Sequence, residues 1–168
     1  MKSIFTTLIV SLVLVAASSC NSNKGNDGSQ ETGAITSIAD INKQDGEKYI
    51  ATLLKNDTAY VKTESGLCYK ILEEGEGDNF KATDTVDVIY VGKHIDGSQF
   101  DSSNGDIVPF PLQNVVAGFR EVIMLMNPGA KAIAVIPSHL GYGVQGQGPI
   151  GPNETLVFEL TTVELHKN

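Results

Sequence analysis

The chain has 168 residues, which is enough for one domain with a sizeable hydrophobic core and an additional tail. It carries 20 acidic and 12 basic residues, a formal net charge of −8 at pH 7, and this acidity makes nucleic acid or an anionic membrane surface a poor partner. With only two cysteines, stability must come from an ordinary core rather than from a disulfide framework.

The first nineteen residues have the pattern of a secretory signal peptide. Met1 and Lys2 give a short basic start, and an apolar run follows from Ile4 to Ala17. That run of about fourteen residues is too short for a membrane-spanning helix, which needs roughly 20. Small residues then lead to Cys20. The sequence therefore predicts export and removal of residues 1–19.

Cys20 is the candidate site of a lipid anchor. Its place after Ala17-Ser18-Ser19 resembles the lipobox of bacterial lipoproteins, although alanine stands at position 17 where that motif usually has leucine. In that motif the cysteine thiol takes a lipid and becomes the mature N-terminus. Cys68 would then be alone, as a small buried residue of a strand. A Cys20–Cys68 disulfide is the alternative.

Residues 20–36 are rich in Asn, Gly and Ser with almost nothing to bury, which predicts a flexible tether. A helical lead-in follows over residues 37–57. Its apolar positions are spaced as on a helix, and Ser37 is a plausible N-cap. Gly46 interrupts this pattern, so the better helical half runs from Glu47 to Lys55. Such a short helix must pack on other elements.

Residues 58–168 have the pattern of an antiparallel α+β domain. Period-two alternation predicts strands at Thr58–Thr63, Leu67–Glu73, Thr85–Lys93, Ser98–Asp101, Lys131–Ile136 and Thr155–His166. The apolar phase of the last strand slips between Leu160 and Val163, which predicts a β-bulge. One helix is predicted from Asn114 to Met126, ended by Pro128-Gly129, and residues 138–154 form a long Gly/Pro-rich loop. Strands do not alternate with helices, so a doubly wound sheet is excluded.

Common catalytic and cofactor motifs are missing or misplaced. Gly146–Gly151 matches G-x-G-x-x-G, but it precedes a strand and contains a proline, so it does not predict a dinucleotide site. His94, His139 and His166 lie in three separate segments, which is not a metal-ligand spacing. No serine stands in G-x-S-x-G. We therefore expect no cofactor and no metal.

Six side chains carry the best indication of function. Five are aromatic, although the chain is only 7% aromatic and has no tryptophan, and the sixth is a carboxylate. They are Tyr90, Phe100, Asp101, Phe119, Tyr142 and Phe158. A pocket with aromatic walls and one or two polar groups suits a small apolar ring beside an amide. Composition alone leaves open that these aromatics are ordinary core residues.

From about Ser65 to Lys167 the chain resembles the FKBP-type peptidyl-prolyl isomerases, through many short motifs at family-like spacing. These motifs are Ser65–Lys70, Val88–Gly92, Asp96–Ser103, Phe110–Leu112, Val115–Phe119, Leu125–Gly129, Ile136–Pro137, Gly141–Gly143 and Ile150–Leu160. The helical lead-in also resembles the segment that precedes this domain in bacterial exported members. The resemblance implies a bent antiparallel sheet of about five to six strands wrapped around one short helix.

The resemblance also implies a set of pocket residues. They are Tyr90, Phe100, Asp101, Val108, Val115, Val116, Phe119, Tyr142, Ile150 and Phe158. Phe119 would be the floor under the prolyl ring, where the family most often has tryptophan. Val108 falls near another usual aromatic wall position. The Tyr142 hydroxyl and the Val116 amide would hydrogen-bond substrate carbonyls, and Asp101 would orient Tyr90 rather than act as a base.

The function implied is cis-trans isomerisation of Xaa-Pro bonds in exported proteins, by a monomer tethered through its lipid to a membrane of the cell envelope. Proline-containing polypeptides would be the substrates, and macrolide inhibitors of the family are possible ligands. One alternative is a binding or chaperone module that kept the pocket but lost useful turnover, which the smaller Phe119 and Val108 would favour. A weaker alternative is a surface adhesin or structural lipoprotein without a pocket function.

Overall fold

Two helices and seven strands make up residues 37–166, the part of the chain that the computed structural model describes, with side chains described as far as residue 163. In chain order the elements are α1 (Ile38–Asn56), β1 (Val61–Lys62), β2 (Cys68–Glu73), β3 (Thr85–His94), β4 (Gln99–Ser102), β5 (Val108–Pro111), α2 (Ala117–Met124), β6 (Lys131–Ile136) and β7 (Leu156–His166). The predicted signal peptide, the tether and Cys20 lie outside these residues. Neither α1 nor α2 is long and apolar enough to cross a membrane.

All seven strands form one antiparallel sheet, in the order β1-β2-β6-β7-β3-β4, with β5 paired to β3. The predicted α+β class is confirmed, but the sheet has seven strands rather than five to six. The prediction from alternation missed β5, because Pro109 and Pro111 occupy two of its four positions. Proline cannot donate to a strand ladder and is confined to edges, where β5 lies.

Helix α1 is continuous, so the predicted interruption at Gly46 is wrong. Ser37 caps the helix as expected, since its Oγ accepts the Asp40 amide at 3.2 Å. Gly46 is buried, and a Cβ atom there would lie 2.0 Å from Thr155 Oγ1. The glycine therefore permits close approach of the helix to the start of β7 and does not end the helix.

The sheet is covered on both faces. On the outer face, α1 packs Ile50 against Cys68, Val135 and Val157. Cys68 is fully buried, and burial raises the pKa of its thiol, which fits the expected packing role. On the inner face, α2 packs its apolar side chains into the main core. That core includes Phe119, Val122, Ile123, Met126, Val86, Val88, Ala134, Ile136, Leu156, Phe158 and Leu160.

Helix α2 is shorter than predicted at both ends. Val115 and Val116 are extended, with Val116 as N-cap, and a 3₁₀ turn over Leu112–Asn114 precedes them. β-branched residues favour extended backbone, which explains why the helix begins at Ala117 and not at the predicted Asn114. Strand β6 has its predicted bounds. The bulge predicted in β7 is present, since the register against β3 shifts by one residue between Thr162 and Leu165.

Candidate functional site

A cavity of about 340 Å³ opens between the inner face of the sheet and the N-terminal end of α2. It is lined by Tyr90, Phe100, Asp101, Phe110, Asn114, Val115, Val116, Phe119, Tyr142, Gln147 and Phe158. Strands β3, β4, β5 and β7 and helix α2 each contribute at least one aromatic ring. The wall is therefore built from rigid elements.

Phe119 forms the floor of the cavity. Its side chain is 5% exposed, and its ring lies 5.3 Å from that of Phe110, 5.5 Å from that of Phe158 and 6.4 Å from that of Tyr90, between ring centroids. Two of these three contacts are edge-to-face. Such aromatic pairs add about 0.5–1.5 kcal/mol each beyond their burial, so the floor is held firmly by its neighbours.

A β-bulge in β4 brings two neighbouring side chains into the same cavity. Gly92 pairs with Asp101 and Lys93 with Gln99, so Phe100 is an extra residue without a partner in β3. On a regular strand, Phe100 and Asp101 would point to opposite faces. The bulge removes that alternation, and both side chains line the cavity. Gly92 makes room for this arrangement, since a Cβ atom there would lie 2.7 Å from the Phe100 ring.

Asp101 is held by two hydrogen bonds. Its Oδ2 accepts the Tyr90 hydroxyl at 2.8 Å, and its Oδ1 accepts the Ser102 amide at 2.8 Å. Burial, followed by the hydrogen bond to Asp101 and its charge, raises the pKa of Tyr90 to about 12. The Tyr90 phenol therefore stays neutral and donates to the carboxylate throughout the physiological pH range.

Two further donors line the cavity without a protein partner. Within residues 37–166, neither the Tyr142 hydroxyl nor the Val116 amide makes a hydrogen bond. Burial and the charge of Asp101 raise the pKa of Tyr142, so its hydroxyl keeps its proton. Both groups are available to a carbonyl oxygen of a bound molecule.

The cavity contains most of the residues predicted for the pocket. Tyr90, Phe100, Asp101, Phe119, Tyr142, Phe158, Val115 and Val116 line it. Val108 and Ile150 do not: Val108 pairs with Val88 in the sheet, and Ile150 is buried in the main core. Phe110, two residues beyond Val108 on β5, supplies the wall instead. Sequence reasoning missed it, although Phe110-Pro111-Leu112 was among the family-like motifs.

Of the residues rejected as cofactor sites, Gln147 within Gly146–Gly151 lines the cavity, whereas His94 and His139 do not. Gly146–Gly151 lies in the loop before β7 and does not open a helix. His94 Nδ1 forms a hydrogen bond with a carboxylate oxygen of Glu154, and its ring contacts that of Phe100 at 5.2 Å between centroids. Among the described residues, no group of three or more His, Cys, Asp and Glu side chains could hold a metal ion.

The comparisons with known proteins agree with this geometry. The family model for FKBP-type peptidyl-prolyl cis-trans isomerase matches residues 77–164. The chain belongs to this family. Its similarity to a probable FKBP-type isomerase of Haemophilus influenzae is 43% identity over 133 residues, 77% of this chain and 55% of that protein. A probable FkpA isomerase of Neisseria meningitidis is 44% identical over 130 residues, 76% of this chain and 47% of that protein.

The fold is also that of a solved FKBP structure. The crystal structure of FkpA from Escherichia coli superposes with a TM-score of 0.72 at 35% identity, covering 76% of this chain and 60% of that one. The chain thus spans about half the length of the curated relatives it matches.

Proposed function

We propose that this FKBP-family chain is a peptidyl-prolyl cis-trans isomerase acting on exported polypeptides. The observation that carries the proposal is the aromatic cavity itself, with Phe119 as its floor and two unpaired donors at its wall. A prolyl ring is small and apolar, and it is flanked by carbonyl oxygens that need donors. The cavity supplies both kinds of contact.

The reaction needs no bond to a substrate atom. Rotation about an Xaa-Pro amide faces a barrier of about 18–20 kcal/mol and takes roughly tens to hundreds of seconds unaided. In the transition state the amide is twisted, has lost its resonance and is less dipolar than the planar ground state. Lowering the half-time to milliseconds requires a rate acceleration of about 10⁴-fold. This corresponds to roughly 5.5 kcal/mol of stabilisation of the transition state relative to the ground state.

The cavity residues have distinct roles in this proposal. Phe100, Phe119 and Phe158 hold the prolyl ring, and their dry apolar surface disfavours the charge-separated planar amide. The Tyr142 hydroxyl and the Val116 amide bind substrate carbonyls and fix the peptide while the bond rotates. Asp101 positions Tyr90 through the 2.8 Å hydrogen bond and shapes the local field. Binding energy is thereby directed to the twisted form.

The test is the rate of cis-to-trans conversion of short Xaa-Pro peptides that differ in the residue before proline. We expect clear acceleration over buffer, inhibition by a macrolide ligand of the family, and a reduced rate in Tyr142→Phe, which loses only the hydroxyl. A wild-type rate no faster than that of a folded Tyr142→Ala, Phe158→Ala double variant would contradict turnover. If the wild-type protein shows no turnover but still binds the peptides, the result would favour a binding or chaperone module, whose cavity floor at Phe119 is smaller than the tryptophan usual in the family.

We also propose that residues 1–19 are a signal peptide and that Cys20 carries a lipid anchor at the cell envelope. The support is the basic start, the short apolar run and the lipobox-like residues before the cysteine. Metabolic labelling with a radioactive fatty acid should mark the wild-type protein and not Cys20→Ser. Equal labelling of both would contradict lipidation at this residue. Sedimentation of the unlipidated chain should show a monomer.

A further inference from the structure

A second cavity, of about 280 Å³, lies between α1 and the turn that follows β6. We call it the α1 groove and define it by Lys43, Ala51, Leu54, Lys62, Pro137 and His139. It shares no lining residue with the aromatic cavity. The proposed isomerase mechanism gives it no task, so its surface chemistry needs its own explanation.

The α1 groove is a positive site on an acidic protein. Lys43 and Lys62 are exposed, and neither forms an ion pair within residues 37–166. Lys70, Lys93 and Lys131 are each paired with a carboxylate. Lys48, Lys55 and Lys81 also form no ion pair among the described residues, but none of them lines the groove. These two lysines therefore stand unpaired on a chain of net charge −8. Their free ammonium groups favour an anionic ligand.

Two other lining residues contribute to the electrostatic character of the α1 groove. Glu47, four residues after Lys43 on α1, is the acid that lines the groove and offsets part of the positive charge. His139 lies on the opposite wall, and its Nε2 is 2.8 Å from the Ser65 carbonyl oxygen.

The floor of the α1 groove is apolar. Leu54 is half-buried, Ile50 lies beneath it at 6% exposure, and Pro137 closes the opposite side. Ala51 is exposed at the groove, so its small side chain leaves the space open. An apolar floor in a groove that is also lined by two lysines fits an aliphatic side chain with neighbouring carboxylates better than a free inorganic anion.

One short turn connects the α1 groove to the aromatic cavity. Ser138 lines the groove and Tyr142 lines the cavity, and the four intervening peptide units span at most about 14 Å. The Ser138 carbonyl accepts the amides of Gly141 and Gly143 at 2.9 and 2.8 Å, on either side of Tyr142. An extended polypeptide of roughly five residues covers this distance.

From this placement we infer that the α1 groove is a second polypeptide-binding site, which takes an extended segment with an aliphatic residue between Asp or Glu residues. It rests on the proposed function in one respect: a client with proline in the aromatic cavity would gain affinity from a second contact on the same chain. Binding at the groove itself requires neither proline nor turnover, and the two proposals can therefore fail separately.

The test is fluorescence anisotropy with a labelled proline-free peptide, Glu-Asp-Leu-Glu-Leu-Asp-Glu, and the purified chain beginning after the proposed signal peptide. We expect Lys43→Glu, Lys62→Glu to weaken binding by roughly tenfold, because two attractions become repulsions. The matched control is Lys48→Glu, Lys55→Glu, which makes the same charge change on α1 outside the groove. Its affinity should fall clearly less than that of the groove variant at 0.15 M salt, because neither side chain lines the groove and salt screens the remaining charge effect.

Two further variants make the result independent of folding defects. Glu47→Gln removes the one acid and should tighten binding about twofold to threefold, a gain that a damaged fold would not produce. Ala51→Phe fills the groove and should abolish binding, whereas Thr52→Phe, on the exposed side of α1, should not. Tyr142→Phe should bind this peptide normally.

Absence of binding to wild type, or equal losses in the groove and control lysine variants, would overturn the inference. Equal affinity for the same peptide with lysines in place of its acids would overturn it as well. If wild type fails to bind but the chain beginning at Ile35 binds tightly, the occupant is the preceding segment of this chain and not a client.

Discussion

At the scale of single residues, the aromatic rings and the polar groups of the cavity occupy different places. The ring of Phe119 contacts those of both Phe110 and Phe158. The polar atoms stand at the wall, where Asp101 accepts the Tyr90 hydroxyl and the Tyr142 hydroxyl makes no hydrogen bond to the part of the chain that the structure describes. This arrangement suits rotation about a bond, which requires a dry surface and fixed donors but no proton transfer.

Asp101→Asn should lower kcat/KM by roughly tenfold to 100-fold without unfolding the protein, since hydrogen bonds to charged groups contribute about 1.5–3 kcal/mol. An asparagine that keeps its Oδ1 on the Ser102 amide presents its NH₂ group to Tyr90, whose hydroxyl must then accept and loses its charge-assisted hydrogen bond. Peptide assays at several pH values are the measurement.

The matched control is Asp106→Asn, an exposed carboxylate beyond β4 that does not line the cavity, and it should leave the rate unchanged. A loss greater than about 1,000-fold in Asp101→Asn would indicate proton transfer by Asp101 instead of positioning.

The pKa of Tyr90 predicts a pH dependence of stability. Its folded value of about 12 exceeds the ordinary value near 10. Folding then favours the protonated phenol, so this stabilisation is complete below pH 10 and is lost as pH rises from 10 to 12. Urea midpoints between pH 8 and 11.5 should fall more steeply for wild type than for Tyr90→Phe. Parallel curves for the two proteins would show that Tyr90 titrates normally. The isomerisation rate should not change between pH 6 and 9, because the Tyr90 phenol keeps its proton in this range.

At the scale of elements, the bulge in β4 and the glycine opposite it shape the cavity. Gly92→Ala should lower stability by about 1–3 kcal/mol and reduce isomerase activity, because overpacking forces neighbouring side chains to move. The added Cβ would lie 2.7 Å from Phe100 and 3.1 Å from Phe158, which are both cavity walls. Thermal unfolding and the short-peptide assay are the measurements.

Adding Phe100→Ala to Gly92→Ala provides the control, since it removes the ring that the new methyl group meets. The double variant should be more stable than the sum of the two single effects predicts. Strict additivity would mean that the Gly92 and Phe100 side-chain positions do not collide.

Strands with regular alternation could be predicted from sequence, because period-two burial depends only on which face meets the core. Lys131–Ile136 was predicted with its observed bounds, and β3 to within one residue. Strand β5 could not be predicted this way, since its prolines are tolerated only because it lies at an edge. Phe110 was missed with it. The bulge at Phe100 is visible only from the strand pairing, in which Gly92 pairs with Asp101 and Lys93 with Gln99.

At the scale of the whole molecule, one sheet separates two different packing surfaces. The inner face and α2 form the aromatic cavity, while the outer face receives α1. Pattern analysis treated Gly46 as a helix breaker because propensity is a local property. Its role depends on Thr155, which is more than a hundred residues away in sequence. Hydrophobic periodicity cannot predict long-range contacts of this kind. These contacts determine how α1 packs on the sheet.

Gly46→Ala should therefore destabilise the protein, although alanine is the better helix former by about 1 kcal/mol. Its Cβ would lie 2.0 Å from Thr155 Oγ1 and 2.7 Å from Thr155 Cβ, so α1 must move away from the sheet. We expect a net loss of about 1–3 kcal/mol in unfolding free energy, because overpacking outweighs propensity. Turnover of a short peptide should be unchanged, since Gly46 and Thr155 lie outside the aromatic cavity.

Combining Gly46→Ala with Thr155→Gly should recover part of this loss, because the second change removes both colliding atoms. Chemical unfolding of the four proteins of this cycle gives the coupling energy directly. A Gly46→Ala protein more stable than wild type would show that helix propensity dominates and that α1 does not approach β7 this closely. A loss of stability with normal short-peptide turnover would establish that α1 supports the fold from the outer face while the inner face alone forms the isomerase site.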